Sequence, residues 1–248
     1  DYFRDKVTMW QKSLGNVETV LTMWQNATTQ WQSLEAIFLA SDDIRRQLPD
    51  DTKRFEGIDQ AFKDLMKEAV EESKVLDSCT KDGRDEVLQE MIKALELCQQ
   101  SLNEYLDMKK KIFPRFYFVS NVALLHILSN GNNPPRIVHH LGDCYDSICN
   151  LTFLEDSINK ASAMHAKDGE IVPFNDVFEM EGMVENWLNV LTVVQQDTLR
   201  ANFEKALDAV VNWEHDLPRH KWLFKYPAQT VLTGTQVTWT EECEAALD

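Results

Sequence analysis

The sequence LNEYLDMKKKIFPRFYFVSNVALLHILSN, residues 102–130, is the most informative part of the chain because its pattern changes abruptly at one proline. An amphipathic helical pattern runs into three consecutive lysines. Pro114 then ends the helix, since a prolyl ring cannot continue helical hydrogen bonding. Aromatic residues surround the proline, and Ser120 has the position of an N-cap for a second, almost wholly apolar helix. The segment predicts a buried corner between two helices with positive charge beside it.

The composition excludes several classes of protein. The 248 residues carry a net charge of −16 and are 44% hydrophobic, so the chain can bury a substantial core. The acidic balance argues against nucleic acid or an anionic membrane as a partner. Five scattered cysteines without CxxC spacing fit free thiols in a reducing compartment. The chain opens in an apparent helix without an initiating Met, so we expect it to be part of a longer protein.

Apolar residues recur at helical spacing over three long stretches, approximately residues 2–39, 52–76 and 85–112. The third would span roughly 42 Å at the standard helical rise. Long helices joined by short turns predict antiparallel packing. Six large side chains on the apolar faces are expected in the core: Trp31, Phe38, Phe62, Leu95, Leu125 and Trp187.

A short β-like region interrupts the helical pattern in the second half. Residues 151–154 and 170–174 read as strands, and the sequence Lys-Asp-Gly at 167–169 has the chemistry of a hairpin turn. Helical spacing then returns and continues to the end of the chain. The predicted fold class is all-α, an elongated multi-helix bundle with a small β-hairpin in the second half.

The clearest break in the chain is rich in Asn, Gly and Pro, and it separates two predicted domains. It consists of Asn130, Gly131, Asn132, Asn133 and Pro134. Residues 1–130 would form an N-terminal helical bundle, and residues 131–248 a helical part that carries the hairpin. Because hinges are commonly loop positions or the ends of elements, this break and the hairpin region are the two candidate hinges.

Signals of catalysis or metal binding are weak. The patterns GxxxxGK[ST], GxGxxG and GxSxG are absent, so we predict no enzymatic activity and no cofactor. One set, His139, His140, Cys144 and Cys149, has metal-like spacing, but nothing supplies paired ligands, and ordinary packing is the expected role. The group Glu214, His215 and His220 lacks the order HExxH.

The basic cluster admits two interpretations. Lys109, Lys110 and Lys111 lie at a predicted helix C-terminus, where cations offset the helix macrodipole. Together with Arg115, they could instead contact an acidic surface elsewhere.

Three separated segments resemble the linker region of dynein heavy chains, especially the axonemal ones. They read WQSLEAIFLASDDIRRQLPDDTKRFEGID (31–59), the opening segment continued by NNPPRIVHHLGDCYDSICNLTF (132–153), and YPAQTVLTGTQVTWTEECEAAL (226–247). The weaker segments DGEIVPF and VENWL lie between them in matching order, so the resemblance covers essentially the whole chain.

The resemblance implies a mechanical role. In that family the linker is a non-catalytic lever that arches over a ring of AAA+ modules, and its bending and straightening produce the power stroke. This chain would then act on the AAA+ ring of its own heavy chain, and reach other dynein subunits through the parent chain. It would lie in the cytoplasm, in the cytoskeleton of a ciliary or flagellar axoneme. The basic cluster would be a docking surface and the Asn-rich break a hinge.

A second class of protein stays open: a non-motor helical bundle, spectrin-like, that binds or tethers a partner. The uninterrupted helices fit this alternative, whereas the hairpin and the irregular centre fit it poorly. A helical enzyme is the third class, and it lacks any converging set of acid, base, nucleophile or metal ligands.

Overall fold

A computed structural model describes residues 2–213 and 216–247. The chain divides between Met108 and Lys109 into two compact units. The domain boundary suggested by the sequence, between residues 130 and 131, falls inside the second of these units. None of the helices within the described ranges is both long and apolar enough to cross a membrane.

The first unit is built from helices. They are α1 (Arg4–Ala40), α2 (Asp42–Gln47), α3 (Pro49–Glu71), α4 (Val75–Cys79) and α5 (Arg84–Ile112), which continues past the unit boundary. Local sequence accounts for the breaks between them. The Ser41 hydroxyl caps α2 by accepting from the Ile44 amide, and Pro49 occupies the first turn of α3, where its missing N–H costs nothing. Gly83, with a φ of 77°, makes the turn into α5.

Helices α1 and α3 run antiparallel. Trp31 stacks on Phe62 with ring centroids 4.5 Å apart, and Phe38 stacks on Phe55 at 5.3 Å. Residue numbers therefore rise along α1 as they fall along α3. Such aromatic pairs add to the free energy gained from their buried area.

Helices α3 and α5 also run antiparallel, which completes a three-helix bundle. The Arg84 guanidinium donates to the Glu68 carboxylate at 3.0 Å. Further along, the Cys98 thiol lies 3.8 Å from the Asp51 carbonyl. The predicted helical bundle is thus present in the first unit.

The second unit begins with a series of short elements. After the 3₁₀ turn Pro114–Phe118 come α6 (Asn121–Ser129), α7 (Pro134–Ile137), the 3₁₀ turn Val138–His140 and α8 (Leu141–Cys144). The sheet and the last helices follow: β1 (Ile148–Leu154), β2 (Ser157–Ala166), β3 (Ile171–Glu179), α9 (Val184–Asp208), the 3₁₀ turn Ala209–Asn212, α10 (Arg219–Trp222) and α11 (Ala228–Leu247). The predicted cap is confirmed, because the Ser120 hydroxyl accepts from the Ala123 amide at 3.2 Å.

The predicted hairpin is wrong in extent. The structure has a three-stranded antiparallel sheet in the order β1-β2-β3. The two predicted strands correspond to β1 and β3, and the Lys-Asp-Gly turn, with Gly169 at a φ of 94°, joins β2 to β3. The missed strand β2 reads SINKASAMHA. Its Ala, Asn and Lys residues are depleted in strands, so its pairing depends on the neighbouring strands on both sides.

The core of the second unit lies partly around a buried tryptophan. Helix α9 packs against β3 and α11. Trp222 is fully buried with Ala206 and Val231, and its indole N–H donates to the Ala206 carbonyl at 2.8 Å. Gly234 on α11 lies so close to this ring that an added Cβ would be 3.1 Å from it.

Most of the predicted core residues are buried. Phe38, Phe62, Leu95 and Trp187 are buried, while Trp31 and Leu125 are only half-buried. On α6 the buried position is Leu124, one residue before the predicted one. The sequence of this nine-residue, mostly apolar helix does not separate Leu124 from Leu125 as the residue that faces the core.

Candidate functional site

The basic cluster contains a buried ion pair. The Lys109 ammonium contacts the Glu185 carboxylate at 2.5 Å, and the two side chains are only 7% and 4% exposed. Lys109 lies in the last turn of α5 and Glu185 in the first turn of α9. Each charge therefore also offsets the macrodipole of its own helix. Lys109 is internal, so it does not contribute to an accessible surface.

The other three cations differ in exposure. Lys110 is half-buried and donates to the Asn121 side chain at 3.0 Å. Arg115, also half-buried, donates to the Cys144 carbonyl at 3.2 Å and lies 4.8 Å from the centre of the Tyr145 ring. Lys111 is exposed. The four cations thus include one internal charge, two that support the local fold and one that is accessible to solvent.

Exposed apolar side chains follow these cations in the chain, and the Lys110 ammonium lies 5.8 Å from the centre of the Tyr117 ring. Tyr117, Phe118 and Val122 are 59%, 77% and 81% exposed. Large apolar side chains that remain in water are typical of interaction surfaces when they are contiguous. Sequence reasoning did not separate these residues from the buried Phe113 and Phe116, because the whole run is aromatic or apolar.

The Asn-rich break is a short and well-bonded loop. The Asn130 side-chain amide donates to the His126 carbonyl at 2.9 Å, and the Asn133 amide donates to the Asn130 carbonyl at 2.8 Å. Pro134 is buried at the first position of α7. At Gly131 an added Cβ would lie 3.2 Å from the Val184 side chain, which would have to shift by a few tenths of an ångström to admit it.

The metal-like set of the sequence is only partly brought together. Burial raises the pKa of the Cys144 thiol to about 12, which keeps it protonated and a poor metal ligand. The Cys149 thiol lies 3.7 Å from the His165 carbonyl, in the sheet. In their place, His126 of α6 joins His139 and His140. No spacing in the sequence predicts this group, because His126 is thirteen residues before His139. Glu214 and His215 lie outside the described residues.

Electrostatics around His139 favour its neutral ring. Partial desolvation lowers the pKa of His139, and the neighbouring His140 and His126 act in the same direction. His140 is oriented by Asp143, whose carboxylate lies 3.2 Å from its Nδ1.

Comparison with known proteins identifies the family. The sequence model of "Dynein heavy chain, N-terminal region 2" matches residues 1–206. The chain is 42% identical over 250 residues to the flagellar outer arm dynein beta chain of Chlamydomonas reinhardtii, and 42% identical over 245 residues to the ciliary dynein beta chain of Heliocidaris crassispina. It is 41% identical over 245 residues to human dynein axonemal heavy chain 17. The chain therefore belongs to the dynein heavy chain family and corresponds to its N-terminal region 2.

These alignments cover 97–99% of the chain but only 5% of each relative. The chain thus corresponds to a small part of much longer proteins. The alignments therefore do not assign the activity of the whole heavy chains to this segment.

Proposed function

We propose that the chain is the mechanical linker of an axonemal dynein heavy chain, a lever that transmits motion from an ATP-driven AAA+ ring. It would not itself be an enzyme. It would work in the cytoskeleton of a ciliary or flagellar axoneme, on the ring of its own heavy chain, with other dynein subunits as further partners. The main support is the colinear similarity to axonemal and ciliary heavy chains along nearly the whole chain.

The three-helix bundle supplies the stiffness that a lever needs. Helices α1, α3 and α5 have 37, 23 and 29 residues, and two stacked aromatic pairs join α1 to α3. Bending such a bundle disrupts close packing over many turns. The lever proposal also requires an elongated chain, with a radius of gyration clearly above the about 18 Å of a compact domain of this length. Small-angle scattering from the isolated chain tests that requirement.

The lever is tested by weakening the packing of the three-helix bundle in the parent motor. Leu95 on α5 is fully buried, and Leu97 on the same helix is 51% exposed. Leu95→Ala should slow microtubule gliding more than it slows ATP hydrolysis, because the ring still turns over while the lever yields. Leu97→Ala is the matched control and should leave both rates unchanged. Equal falls in gliding and hydrolysis after Leu95→Ala would contradict the lever.

We propose a narrower docking surface than the four cations of the sequence. It consists of Lys111, Phe118 and Val122, with Lys110 and Arg115 at its edge. Exposed apolar side chains beside a cation fit an apolar patch with acidic neighbours on the AAA+ ring. The loop Asn130–Pro134 is proposed as the hinge, whose movement would separate Gly131 from Val184.

The docking surface is tested with Lys111→Gln and Phe118→Ser in the complete motor. Gliding should slow and its dependence on salt should change, since exposed charges are screened by salt. The melting temperature of the isolated chain should stay unchanged. Val211, 77% exposed in the 3₁₀ turn Ala209–Asn212, gives the control Val211→Ser. Wild-type gliding at every salt concentration would exclude this surface.

The alternative is a tethering module of spectrin-like type. The three-helix bundle of the first unit favours it, whereas the sheet and the helices packed on it in the second unit have no place in a three-helix repeat. A tether would show unchanged coupling of gliding to hydrolysis in the Leu95→Ala motor.

A further inference from the structure

Three histidine side chains converge within the second unit. His126 lies on α6, and His139 and His140 lie in the 3₁₀ turn Val138–His140. One ring nitrogen from each lies within 4.8 Å of the others. His126 and His139 are exposed and His140 is half-buried, so the group is open to ions from solution.

The spacing of two of these rings is close to that of zinc ligands. Nδ1 of His126 and Nε2 of His140 are 3.1 Å apart. In tetrahedral zinc sites, Zn–N bonds of 2.0–2.1 Å place two ligand nitrogens about 3.4 Å apart. The His139 and His140 rings are closer than such a site needs, with centroids 4.0 Å apart. Because His139 is exposed, its ring can turn outward to complete the set.

A carboxylate supports the central ligand. Asp143 Oδ2 lies 3.2 Å from Nδ1 of His140. When Nδ1 holds the proton and donates it to the carboxylate, Nε2 presents its lone pair to the other two rings. Metal-binding histidines typically donate their second nitrogen in this way, which fixes the tautomer and the ring orientation.

The three histidines lie on both sides of the Asn-rich loop. His126 precedes Asn130–Pro134, and His139 and His140 follow it. An ion held by all three would therefore connect α6 to the 3₁₀ turn across that loop. Any motion that separates these two elements would have to break a metal–ligand bond.

We propose that His126, His139 and His140 bind a divalent transition-metal ion, Zn²⁺ being the best fit, and that the ion clamps the loop Asn130–Pro134. Imidazole ligands suit Zn²⁺, and three protein ligands leave the fourth position for water. Each neutral ring keeps one N–H, so on binding the proton between His126 and His140 moves to Nε2 of His126, and the lone pair of its Nδ1 becomes available to the ion. The metal site does not depend on the lever function proposed above.

The experiment is calorimetric titration of the isolated, reduced chain with ZnCl₂ at neutral pH. We expect one site of micromolar affinity. His126→Asn and His140→Asn should each abolish it, and Asp143→Asn should weaken it by about 10-fold or more. His220→Asn and Cys149→Ser are the controls and should bind as wild type. Hydrogen exchange of the loop amides should slow when zinc is bound.

Several outcomes would overturn the proposal. Absence of micromolar binding would exclude the site. Binding that survives both His126→Asn and His140→Asn would place the ion elsewhere, on carboxylates or thiols. Circular dichroism of each variant verifies folding, and His126→Gln serves as a second variant if His126→Asn is unstable. A bound ion without any slowing of loop exchange would exclude the clamp.

Discussion

At the scale of single residues, the Lys109–Glu185 pair has the greatest consequence for stability. Both charges are buried, and each is placed at the helix end whose dipole favours it. Removing one partner leaves the other charge in an apolar setting, which costs far more than the pair itself contributes. The accessible neighbour Lys111 has no comparable burial.

We therefore expect Lys109→Gln to lower the free energy of unfolding by about 3–5 kcal/mol. Lys111→Gln is the matched control and should change it by less than about 0.5 kcal/mol. The double variant Lys109→Met with Glu185→Leu should recover most of the loss, because no charge is then left unpaired. Urea denaturation measures all three. A Lys109→Gln variant as stable as wild type would show that the pair is not buried in solution.

A second prediction at this scale concerns alkaline pH. Burial raises the pKa of Tyr145 and of Cys144, each to about 12, from ordinary values of 10.0 and 9.0. The unfolded chain loses these protons first, so the stability they contribute is present below pH 9 and is lost as pH rises toward 12. Tyr145 donates to the Leu188 carbonyl at 3.2 Å, and ionisation removes that donor.

We expect the free energy of unfolding to fall from pH 9 to pH 11.5, and Tyr145→Phe to make the fall shallower. Tyr145→Phe should also cost about 1 kcal/mol at neutral pH for the lost hydrogen bond. Denaturation at several pH values measures both effects, with the exposed Tyr117→Phe as control. If the free energy of unfolding fell equally steeply with pH in Tyr145→Phe and in wild type, ionisation of Tyr145 would not contribute to the fall.

At the scale of elements, two helical glycines predict opposite effects of the same substitution. Gly57 is exposed in the middle of α3, with nothing within 4 Å of an added Cβ. Gly57→Ala should stabilise the chain by up to about 1 kcal/mol, because alanine restricts the unfolded chain. Gly234→Ala should destabilise it by about 1–3 kcal/mol, since the methyl group would press on the buried Trp222 ring. Thermal denaturation gives both signs, and stabilisation by Gly234→Ala would mean that α11 packs less closely on Trp222.

Sequence patterns predicted some helices and strands of this fold correctly and missed others. The long helices α1, α3 and α5 and the cap at Ser120 were predicted because their periodicity and capping chemistry are local. Strand β2 was missed because its residues favour no local structure, and it forms by pairing with β1 and β3. The accessible side of α6 was not predicted either, because most of its nine residues are apolar.

At the scale of the whole molecule, the net charge predicts a dependence on salt. A net charge of −16 repels itself, and folding brings those charges closer together than they are in the unfolded chain. Raising NaCl from 20 to 200 mM should increase the melting temperature by about 2–4 °C for each kcal/mol of repulsion that is screened. The same titration near the pI of about 4.8 is the control, where the increase should vanish. A lower melting temperature with salt at pH 7 would show that attractive ion pairs dominate.

Residue order alone indicated the family and the long helices, and it contains no GxxxxGK[ST] pattern. Each of these features depends on residue order or on spacing within one segment, so it can be read from the linear sequence without knowledge of the fold. The candidate hinge was found in the same way, from the clustering of Asn, Gly and Pro.

The surroundings of the basic cluster and of the histidines depend on tertiary packing. Lys109 and Glu185 are far apart in the sequence but in contact in the structure. His126 and His140 likewise meet although a loop separates them in the sequence. Whether such residues meet depends on packing between distant elements, and the energy of a charge depends on the burial that packing creates. The sequence pattern shows neither that Glu185 is the partner of Lys109 nor how polar its surroundings are. It therefore could not distinguish the buried Lys109 from the accessible Lys111.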